Sequence, residues 1–334
     1  MTEEHPFAQY VRIIGKGPHL SRPLNQEEMR AAAGMILAGE VEPIQLGAFL
    51  CVLRVRTEVP EEGAGFVEAV RDTLILPPDP PRVDLDWSSY SGKARQLPWF
   101  LLAVLLLAQN GTRVFMHGTE GHTPGRLYTR VALEALGLPI AHSLAESAEH
   151  LRARNFAFLP LADLQPQLQQ IIDLKPVLGL RSPVNTFGRM TNPFAAPYEI
   201  QTVFHPNYRD IHRDTARLLG QKHMAVFKGE GGEAERRPQK PVLVQMLHDG
   251  DYSEEEWPVL FDLDGDAIDK EMDLDRLGAV WRGEIEDAYA TAAVIGTTAI
   301  ALRLRGRGED SDEATQIARD MWNGRNRERL TAAA

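Results

Sequence analysis

One apolar stretch constrains the fold of this chain more than any other feature, the run LPWFLLAVLLLA at Leu97–Ala108. It falls well short of the roughly 20 apolar residues that a membrane-spanning helix needs. We therefore predict a buried helix, because a helix that is hydrophobic on every side must be covered on every side. The chain is 43% hydrophobic and 25% charged, a globular composition that can bury a sizeable core around such a helix.

The amino-terminal part predicts a group of short helices. Apolar residues recur at helical spacing across Asn25–Arg71, interrupted by clear breaks. Asn25 can cap the first helix, Pro43 opens the second and Pro60 opens the third. The PPDPPRVD stretch at Pro77–Asp84 cannot form a helix. It therefore marks the boundary between a helical lobe and a second region.

Beyond this boundary, short apolar runs alternate with helical patterns. This alternation is typical of a sheet with helices packed on its faces. The predicted strands are Val83–Leu85, Thr112–Met116, Ala157–Leu159, Met224–Phe227 and Val242–Met246. The predicted helices are Pro98–Asn110, Gly125–Leu136, Gly283–Leu302 and Glu313–Arg329. The second region is therefore predicted to be an α/β domain.

The charges are unevenly distributed along the chain. The formal net charge of -11 argues against generic binding to polyanions. Residues 150–245, however, contain 13 Lys and Arg against 8 Asp and Glu, whereas residues 246–334 contain 10 against 21. The acidic cluster Asp262–Asp269 is predicted to be a solvated turn. The basic excess in the middle of the chain leaves room for an anion site.

Cysteine content and the amino terminus exclude other classes. A single cysteine, Cys51, excludes an intramolecular disulfide and a cysteine-built metal cage, and we predict that it fills the core. The first residues, MTEEHPFAQY, include acidic residues and no apolar stretch behind a basic one. We therefore expect no secretory signal, no membrane contact and a cytoplasmic location.

Five segments resemble anthranilate phosphoribosyltransferases, which belong to glycosyl transferase family 3. They match the family in order and spacing, and the resemblance covers most of residues 24–245. The segments are ILAGEVEPIQLGAFLCVLRVRTEVPEEGAGFVEAVR (36–71), VFMHGTEGHTPGR (114–126), ALEALGLPI (132–140), VLGLRSPVNTFGRMTNP (177–193) and MAVFKGEGGEAE (224–235). Agreement over such a length is far more specific than any single motif.

The resemblance implies an α/β fold of the nucleoside phosphorylase and class II phosphoribosyltransferase type. It has a small all-helical lobe and a larger α/β domain with a central mixed sheet. The lobe is expected at residues 1–76, completed by about 162–195, and the α/β domain at 77–161 and 196–334. Such proteins typically form homodimers through the helical lobe, and we expect the same here.

The diphosphate motif of the family is replaced in this chain. In the enzymes, a GTGGD turn after the first strand of the large domain brings bare backbone N–H groups to the diphosphate of phosphoribosyl diphosphate. The corresponding text is DLDWSSYSGKA, with Ser88, Ser89 and Ser91 as the equivalents of the site. Trp87, Ser88, Ser89 and Tyr90 carry side chains where bare backbone is required. Close approach of diphosphate is therefore predicted to be blocked. A lone phosphate held by the three serines, Gly92 and Lys93 stays an alternative to an ordinary polar turn.

A second family motif, KHGNR, corresponds to Met116–Glu120. His117 and Gly118 are retained, but methionine replaces the lysine and glutamate replaces the arginine. A carboxylate at this place repels diphosphate by simple Coulomb interaction. A lone histidine gives little evidence for a ligand contact, so we interpret His117 as a hydrogen-bonded residue at a strand end.

The magnesium motif is also incomplete. The Asp-Glu pair of the enzymes corresponds to Ala234 and Glu235 within KGEGGEAE, whose turn contains Gly229 and Glu230. Mg²⁺ usually takes one or two carboxylates together with substrate phosphates. Glu235 is therefore the remaining candidate metal ligand. Mg²⁺ is expected as a cofactor only if the chain is a transferase, and no other cofactor is expected.

The acceptor-binding arginine of the enzymes corresponds to Lys175, which lacks the bidentate fork that grips a carboxylate. The resemblance implies that Lys175 and further basic residues face the cleft between the lobes, near Asn185. We call this set the basic seam: Lys175, Arg181, Arg189, Lys228, Arg236 and Arg237. Four aromatic residues are predicted to lie near it and to stack on bases: Tyr90, Trp99, Phe187 and Phe194.

Two functions follow from this pattern. The first is non-specific binding of single-stranded nucleic acid or another polyanion in the cleft. The KGEGGE and RSPVN segments resemble a divergent, nucleic-acid-binding branch of the family, which implies this function. The alternative is a pentosyl or phosphoribosyl transferase with an unknown acceptor, since such transfer depends mainly on positioning and electrostatics. We expect that anthranilate phosphoribosyltransferase activity itself is absent.

Overall fold

The computed structural model describes residues 3–17, 19–260 and 271–331. The acidic turn predicted at Asp262–Asp269 lies outside these residues. The helices of the amino-terminal part are α1 (Ala8–Gly15), α2 (Gln26–Leu37), α3 (Pro43–Arg56) and α4 (Pro60–Asp72). The later helices are α5 (Phe100–Gln109), α6 (Thr129–Ala135), α7 (Leu144–Arg154), α8 (Leu161–Leu164), α9 (Pro166–Asp173), α10 (Lys175–Leu178), α11 (Val184–Phe187), α12 (Arg209–Leu218), α13 (Asp275–Arg282), α14 (Ala288–Leu304) and α15 (Ser311–Asn323).

A seven-stranded mixed sheet forms the centre of the larger part, in the order β3-β2-β1-β4-β5-β6-β7. Its strands are β1 (Leu85–Ser89), β2 (Val114–Gly118), β3 (Phe156–Pro160), β4 (Tyr198–Val203), β5 (His223–Lys228), β6 (Val242–His248) and β7 (Asp251–Trp257). The first five strands in this order pair in parallel, and β6 and β7 are antiparallel. The carboxyl ends of the parallel strands therefore meet at one edge, where ligands bind in open α/β sheets.

The apolar run that constrained the fold forms helix α5, as predicted. Every residue from Phe100 to Ala108 is at most 1% exposed. Helix α5 contacts α14, and both contribute to the same core as the strands. No helix among the described residues is long and apolar enough to cross a membrane.

The amino-terminal helices form where the sequence predicted them. Asn25 caps α2 with Glu28 in a reciprocal capping box, and α3 and α4 begin at Pro43 and Pro60. Helix α11 packs on α4, with the rings of Phe66 and Phe187 5.1 Å apart. Cys51 is only half-buried, so the prediction that it fills the core overstated its burial. Homodimerisation through this helical lobe stays a prediction.

The sheet shifts the first predicted strand and contains two strands, β4 and β7, that were not predicted. The first strand is shifted towards the carboxyl terminus of the chain and runs from Leu85 to Ser89, so Ser88 and Ser89 lie in β1 and not in the turn. The turn begins only at Tyr90. Strands β4 and β7 were missed because neither is an apolar run. Glu199 and Gln201 of β4 are buried polar residues, and β7 is an acidic edge strand.

Candidate functional site: a cleft with internally occupied anion-binding amides

The turn that follows β1 holds a carboxylate of the chain itself. Oε1 of Glu233 accepts hydrogen bonds from the backbone N–H groups of Ser91 at 2.6 Å and Gly92 at 2.5 Å. Glu233 is fully buried. Successive backbone N–H groups of this kind form a concave anion site. In this chain, that anion site is already occupied by Glu233.

The next residue of the turn, Lys93, is neutralised by a second carboxylate of the chain. Nζ of Lys93 donates to Oε1 of Glu235 at 2.6 Å, and the other carboxylate oxygen accepts from the backbone N–H of Phe100 at 2.9 Å. Lys93 is 2% exposed and Glu235 is fully buried. The segment 229–235 thus supplies one carboxylate for the amides and a second for the lysine.

Gly229 allows segment 229–235 to fold back on itself, and Gly232 allows it to approach the turn after β1. A Cβ on Gly229 would lie 1.8 Å from the carbonyl oxygen of Glu233. Gly232 has φ +89°, and a Cβ there would lie 2.6 Å from Oγ of Ser91. Arg126 joins the two turns, since its Nη1 donates to the carbonyl oxygens of Ser91, Gly92 and Gly231 at 2.8, 3.1 and 3.2 Å.

The residues at the family's magnesium position do not fit a Mg²⁺ ion. Glu235 is enclosed by Lys93 and the backbone of Phe100, and Ala234 offers no ligand. Glu230 forms an ion pair with Arg237, with Nε and Oε2 2.8 Å apart. Among the described residues, no group of three or more His, Cys, Asp and Glu side chains is arranged to hold a metal. The prediction of Glu235 as a metal ligand is therefore corrected.

A buried polar cluster lies beneath the turn, on strands β1, β2 and β4. His117 lies near the end of β2, and its Nδ1 lies 2.9 Å from the hydroxyl oxygen of Tyr90, while its Nε2 lies 3.2 Å from Oδ2 of Asp86. The interpretation of His117 as a hydrogen-bonded residue at a strand end fits this geometry. Glu199 lies in the same cluster, and burial, together with the charge of Asp86, raises its pKa to about 8.

This cluster predicts a measurable dependence of stability on pH. Between the usual value of 4.5 and about 8, the folded chain keeps a proton on Glu199 that the unfolded chain releases. The free energy of unfolding should therefore fall as pH rises through this window, by up to about 1.4 kcal/mol per pH unit. Urea unfolding at about pH 5.5 and about pH 7.5 measures this slope. Glu199→Gln should flatten it, and an unchanged slope in the variant would contradict the assignment.

Two cavities at the carboxyl edge of the sheet share Phe204, and together they are called the cleft here. The helical lobe contributes residues such as Arg54 and Arg181 to the border of the smaller cavity. The larger, about 400 Å³, lies over the turns at 93–95 and 228–231, and Arg126 and Arg237 also border it. The smaller, about 150 Å³, is bordered by Arg54 of α3, by Arg181 and Arg189, and by β4 and the segment after it. Phe204, which is 53% exposed, borders both cavities.

The structure brings most of the basic seam to the cleft. Arg181 and Arg189 border the smaller cavity, and Lys228 and Arg237 border the larger one. Lys175 lies beside them and donates from Nζ to the carbonyl oxygen of His122 and to Oγ1 of Thr123, each at 3.2 Å. Asn185 also borders the smaller cavity, as the resemblance implied.

Arg236 is a correction to the basic seam. It is 1% exposed, donates to the carbonyl oxygen of Pro258 and lies over the ring of Trp257 at 5.0 Å. Burial lowers its pKa to about 10. Residues 232–236 are all buried, and Arg236 lies among them, so it cannot meet an anion in the cleft.

The aromatic predictions also need correction. Tyr90, Trp99 and Phe187 are at most 1% exposed and cannot stack on a base. Phe194 packs edge-on against Phe115 at 4.8 Å between ring centroids. The accessible ring is Phe204, which sequence reasoning missed together with Arg54, Arg126 and the structural role of Glu233. Phe204 was missed because it lies directly after β4, a strand that was not predicted.

The electrostatic environment of the cleft is dominated by cations. Burial, followed by the charges of Arg181, Lys175, Arg126 and Arg189, lowers the pKa of His122 to about 4. Arg181 has its pKa lowered by burial, by Arg126 and by Arg54. No carboxylate is among the residues that border the smaller cavity, and Glu230 is the acidic residue that borders the larger one in the described structure.

Comparison with known proteins agrees with this architecture. The helical bundle domain of the glycosyl transferase family matches residues 8–74, and the a/b domain of that family matches residues 101–325. An anthranilate phosphoribosyltransferase of Gluconobacter oxydans (strain 621H) is 30% identical over 246 residues, which cover 72% of this chain and 67% of that protein. The uncharacterized protein YbiB of Escherichia coli (strain K12) is 28% identical over 246 residues, which cover 72% of this chain and 76% of YbiB.

Solved structures show the same fold. Anthranilate phosphoribosyltransferase from Thermus thermophilus superposes with a TM-score of 0.79 at 22% identity, covering 96% of this chain and 94% of that one. The enzyme from Saccharomyces cerevisiae in complex with PRPP and Mg superposes with a TM-score of 0.78 at 15% identity, covering 98% and 96%. The predicted fold is confirmed, and the chain belongs to glycosyl transferase family 3.

Proposed function

We propose that this chain binds single-stranded nucleic acid in the cleft, without base selectivity, and does not use phosphoribosyl diphosphate. One observation carries the proposal. The backbone amides after β1, which would hold a diphosphate, are occupied by Glu233, while guanidinium and ammonium groups still border both cavities. The cleft therefore retains attraction for anions but has lost the compact site for a diphosphate.

The free cations of the larger cavity support an extended ligand. Arg95 and Lys228 are exposed, and neither forms an ion pair with a described residue. Lys93 and Arg237 are neutralised by Glu235 and Glu230. Separated, unpaired charges along a groove suit the regularly spaced phosphates of a strand, which bind by release of counterions.

Phe204 supports a single strand as the ligand. Its ring is exposed at the junction of the two cavities, with cations on both sides. An exposed aromatic ring beside a basic groove stacks on unpaired bases of any identity, at about 1–3 kcal/mol per base. Duplex bases are already stacked on each other, so the ring would gain little from a duplex.

Fluorescence anisotropy with a single-stranded oligonucleotide tests the proposal. Binding should weaken steeply between about 50 mM and about 200 mM salt. Arg95→Gln with Lys228→Gln should weaken binding by about tenfold or more and reduce the salt slope by about 1.4, at about 0.7 per phosphate contact. Both side chains are exposed, so the fold should tolerate the change.

The matched control is Arg82→Gln with Lys222→Gln. Both residues are exposed and precede β1 and β5, at the opposite edge of the sheet. This control removes the same total charge and should leave affinity almost unchanged. Equal losses in both double variants, or binding that is independent of salt, would contradict a nucleic-acid site in the cleft.

A further inference from the structure

The smaller cavity has the composition of a site for a strongly charged anion. Three arginines from separate parts of the chain border it, namely Arg54 of α3, Arg181 before α11 and Arg189 after it. None of the residues that border the cavity in the described structure is Asp or Glu. Nη1 of Arg54 lies 3.9 Å from Oε1 of the buried Glu58, whereas Arg181 and Arg189 form no ion pair with a described residue. These two guanidinium groups repel each other unless an anion lies between them.

The hydrogen bonds of these arginines leave donors available. Arg189 uses Nη1 on the carbonyl oxygen of Gly232 at 3.3 Å and Nη2 on Oγ of Ser91 at 2.7 Å. Arg181 donates from Nη2 to Oγ1 of Thr123 at 3.0 Å. A guanidinium has five N–H donors in a planar fork that matches phosphate oxygens. Both side chains therefore retain donors for a ligand.

Two other residues that border the cavity carry buried polar atoms without a hydrogen-bond partner in the described structure. These atoms are Oγ of Ser182 and Oδ1 of Asn185. Ser182 is 6% exposed, so water reaches its hydroxyl poorly. The Ser182 hydroxyl can donate to a phosphate oxygen and so recover the free energy of its missing hydrogen bond. Oδ1 of Asn185 only accepts, so it gains nothing from a fully ionised phosphate.

The size of the cavity limits the ligand. At about 150 Å³ it lies below the roughly 300 Å³ at which pockets for whole small molecules begin. This volume suits a single phosphate group better than a complete nucleotide. A terminal phosphate monoester carries a charge of about -1.5 to -2 and three acceptor oxygens, whereas an internal diester carries one negative charge. Three arginines match the monoester better.

We propose that the smaller cavity binds the terminal phosphate monoester of a nucleic-acid strand whose body lies in the larger cavity. This inference rests on the proposed function. Phe204 borders both cavities, so the last base of the strand would stack on its ring while the terminal phosphate reaches Arg181 and Arg189. The protein would then bind strand ends in preference to strand interiors.

The test compares three oligonucleotides of one sequence, carrying a 5′-phosphate, a 3′-phosphate or hydroxyl groups at both ends. Anisotropy with the full chain should show about tenfold tighter binding of one phosphorylated oligonucleotide, equivalent to about 1.4 kcal/mol. The preferred end identifies the polarity of the bound strand. Arg181→Gln should abolish the preference, whereas Arg95→Gln in the larger cavity should weaken all three oligonucleotides alike.

The outcomes separate this inference from the proposed function. Equal affinity for the three oligonucleotides, or a preference that survives Arg181→Gln, overturns the terminal-phosphate site and leaves nucleic-acid binding intact. Absence of binding to every oligonucleotide overturns the proposed function. In that case, calorimetry with inorganic phosphate decides whether the smaller cavity binds an anion. Saturable binding that Arg181→Gln removes supports an anion site there, and no binding overturns it.

Discussion

Glu233→Ala is expected to lower the free energy of unfolding by about 2–4 kcal/mol, because it leaves the buried N–H groups of Ser91 and Gly92 without an acceptor. Inorganic pyrophosphate should then restore part of the lost stability. The vacated amides form an anion site that exists only in the folded chain, so pyrophosphate binds the folded state and not the unfolded one. Urea unfolding with and without millimolar pyrophosphate measures both effects. The wild-type protein should show a much smaller response to pyrophosphate.

The matched control for this experiment is Glu230→Ala in the same segment. Glu230 is half-buried and pairs with Arg237 but accepts no hydrogen bond from the turn after β1. Its replacement should cost less than about 1 kcal/mol, as for an ordinary surface ion pair. If Glu233→Ala were as stable as Glu230→Ala, or pyrophosphate stabilised both variants equally, Glu233 would not be the resident anion.

The second large effect is expected from the Lys93–Glu235 pair. Lys93→Met removes the partner of a fully buried carboxylate and should cost about 3–5 kcal/mol at neutral pH. Burial already raises the pKa of Glu235, and the Lys93 charge is the largest influence that opposes this rise. In the variant, Glu235 should keep its proton to higher pH than in the unfolded chain, so the deficit should grow as pH rises.

Urea unfolding of Lys93→Met at about pH 5 and about pH 8 tests this expectation. The double variant Lys93→Met with Glu235→Gln should recover most of the loss, because glutamine carries no charge and still accepts from the N–H of Phe100. A loss below about 1 kcal/mol in the single variant, or a deficit that shrinks as pH rises, would show that the pair is not desolvated as the structure indicates.

The sequence predicted the architecture well because most elements carry strong local signals. Helix α5 is apolar on all sides, α2 to α4 begin at a cap or at prolines, and β2, β3, β5 and β6 are short, mainly apolar runs. Strand β4 could not be found in this way, because Glu199 and Gln201 point into a polar part of the interior. Strand β7 is acidic because it lies at the edge of the sheet, where one side faces solvent.

The site was only partly predictable. The resemblance located the altered motifs, and burial then decided the role of each side chain. KGEGGEAERR contains three glutamates and two arginines after its lysine, and the sequence alone does not indicate which of these side chains are buried. Glu233, Glu235 and Arg236 are buried, whereas Glu230 and Arg237 are half-buried. Pairing between segments more than 130 residues apart, such as Glu233 with Ser91, is invisible to local patterns.

The fold of the family is thus retained while the chemistry of its central turn differs. Carboxylates from segment 229–235 satisfy the amides and the lysine after β1, so this region is stable without any ligand. Gly229 allows the segment to fold back on itself, and Gly232 allows it to approach Ser91 closely. In the function that we propose, anion binding depends on the arginines and lysines around the two cavities.

Calorimetric titration of the wild-type protein with phosphoribosyl diphosphate and Mg²⁺ tests this account most directly. We expect no saturable heat at millimolar concentrations, because Glu233 and Glu235 occupy the groups that the diphosphate needs. Saturable binding that depends on Mg²⁺ would contradict the account and would favour a transferase with an unknown acceptor.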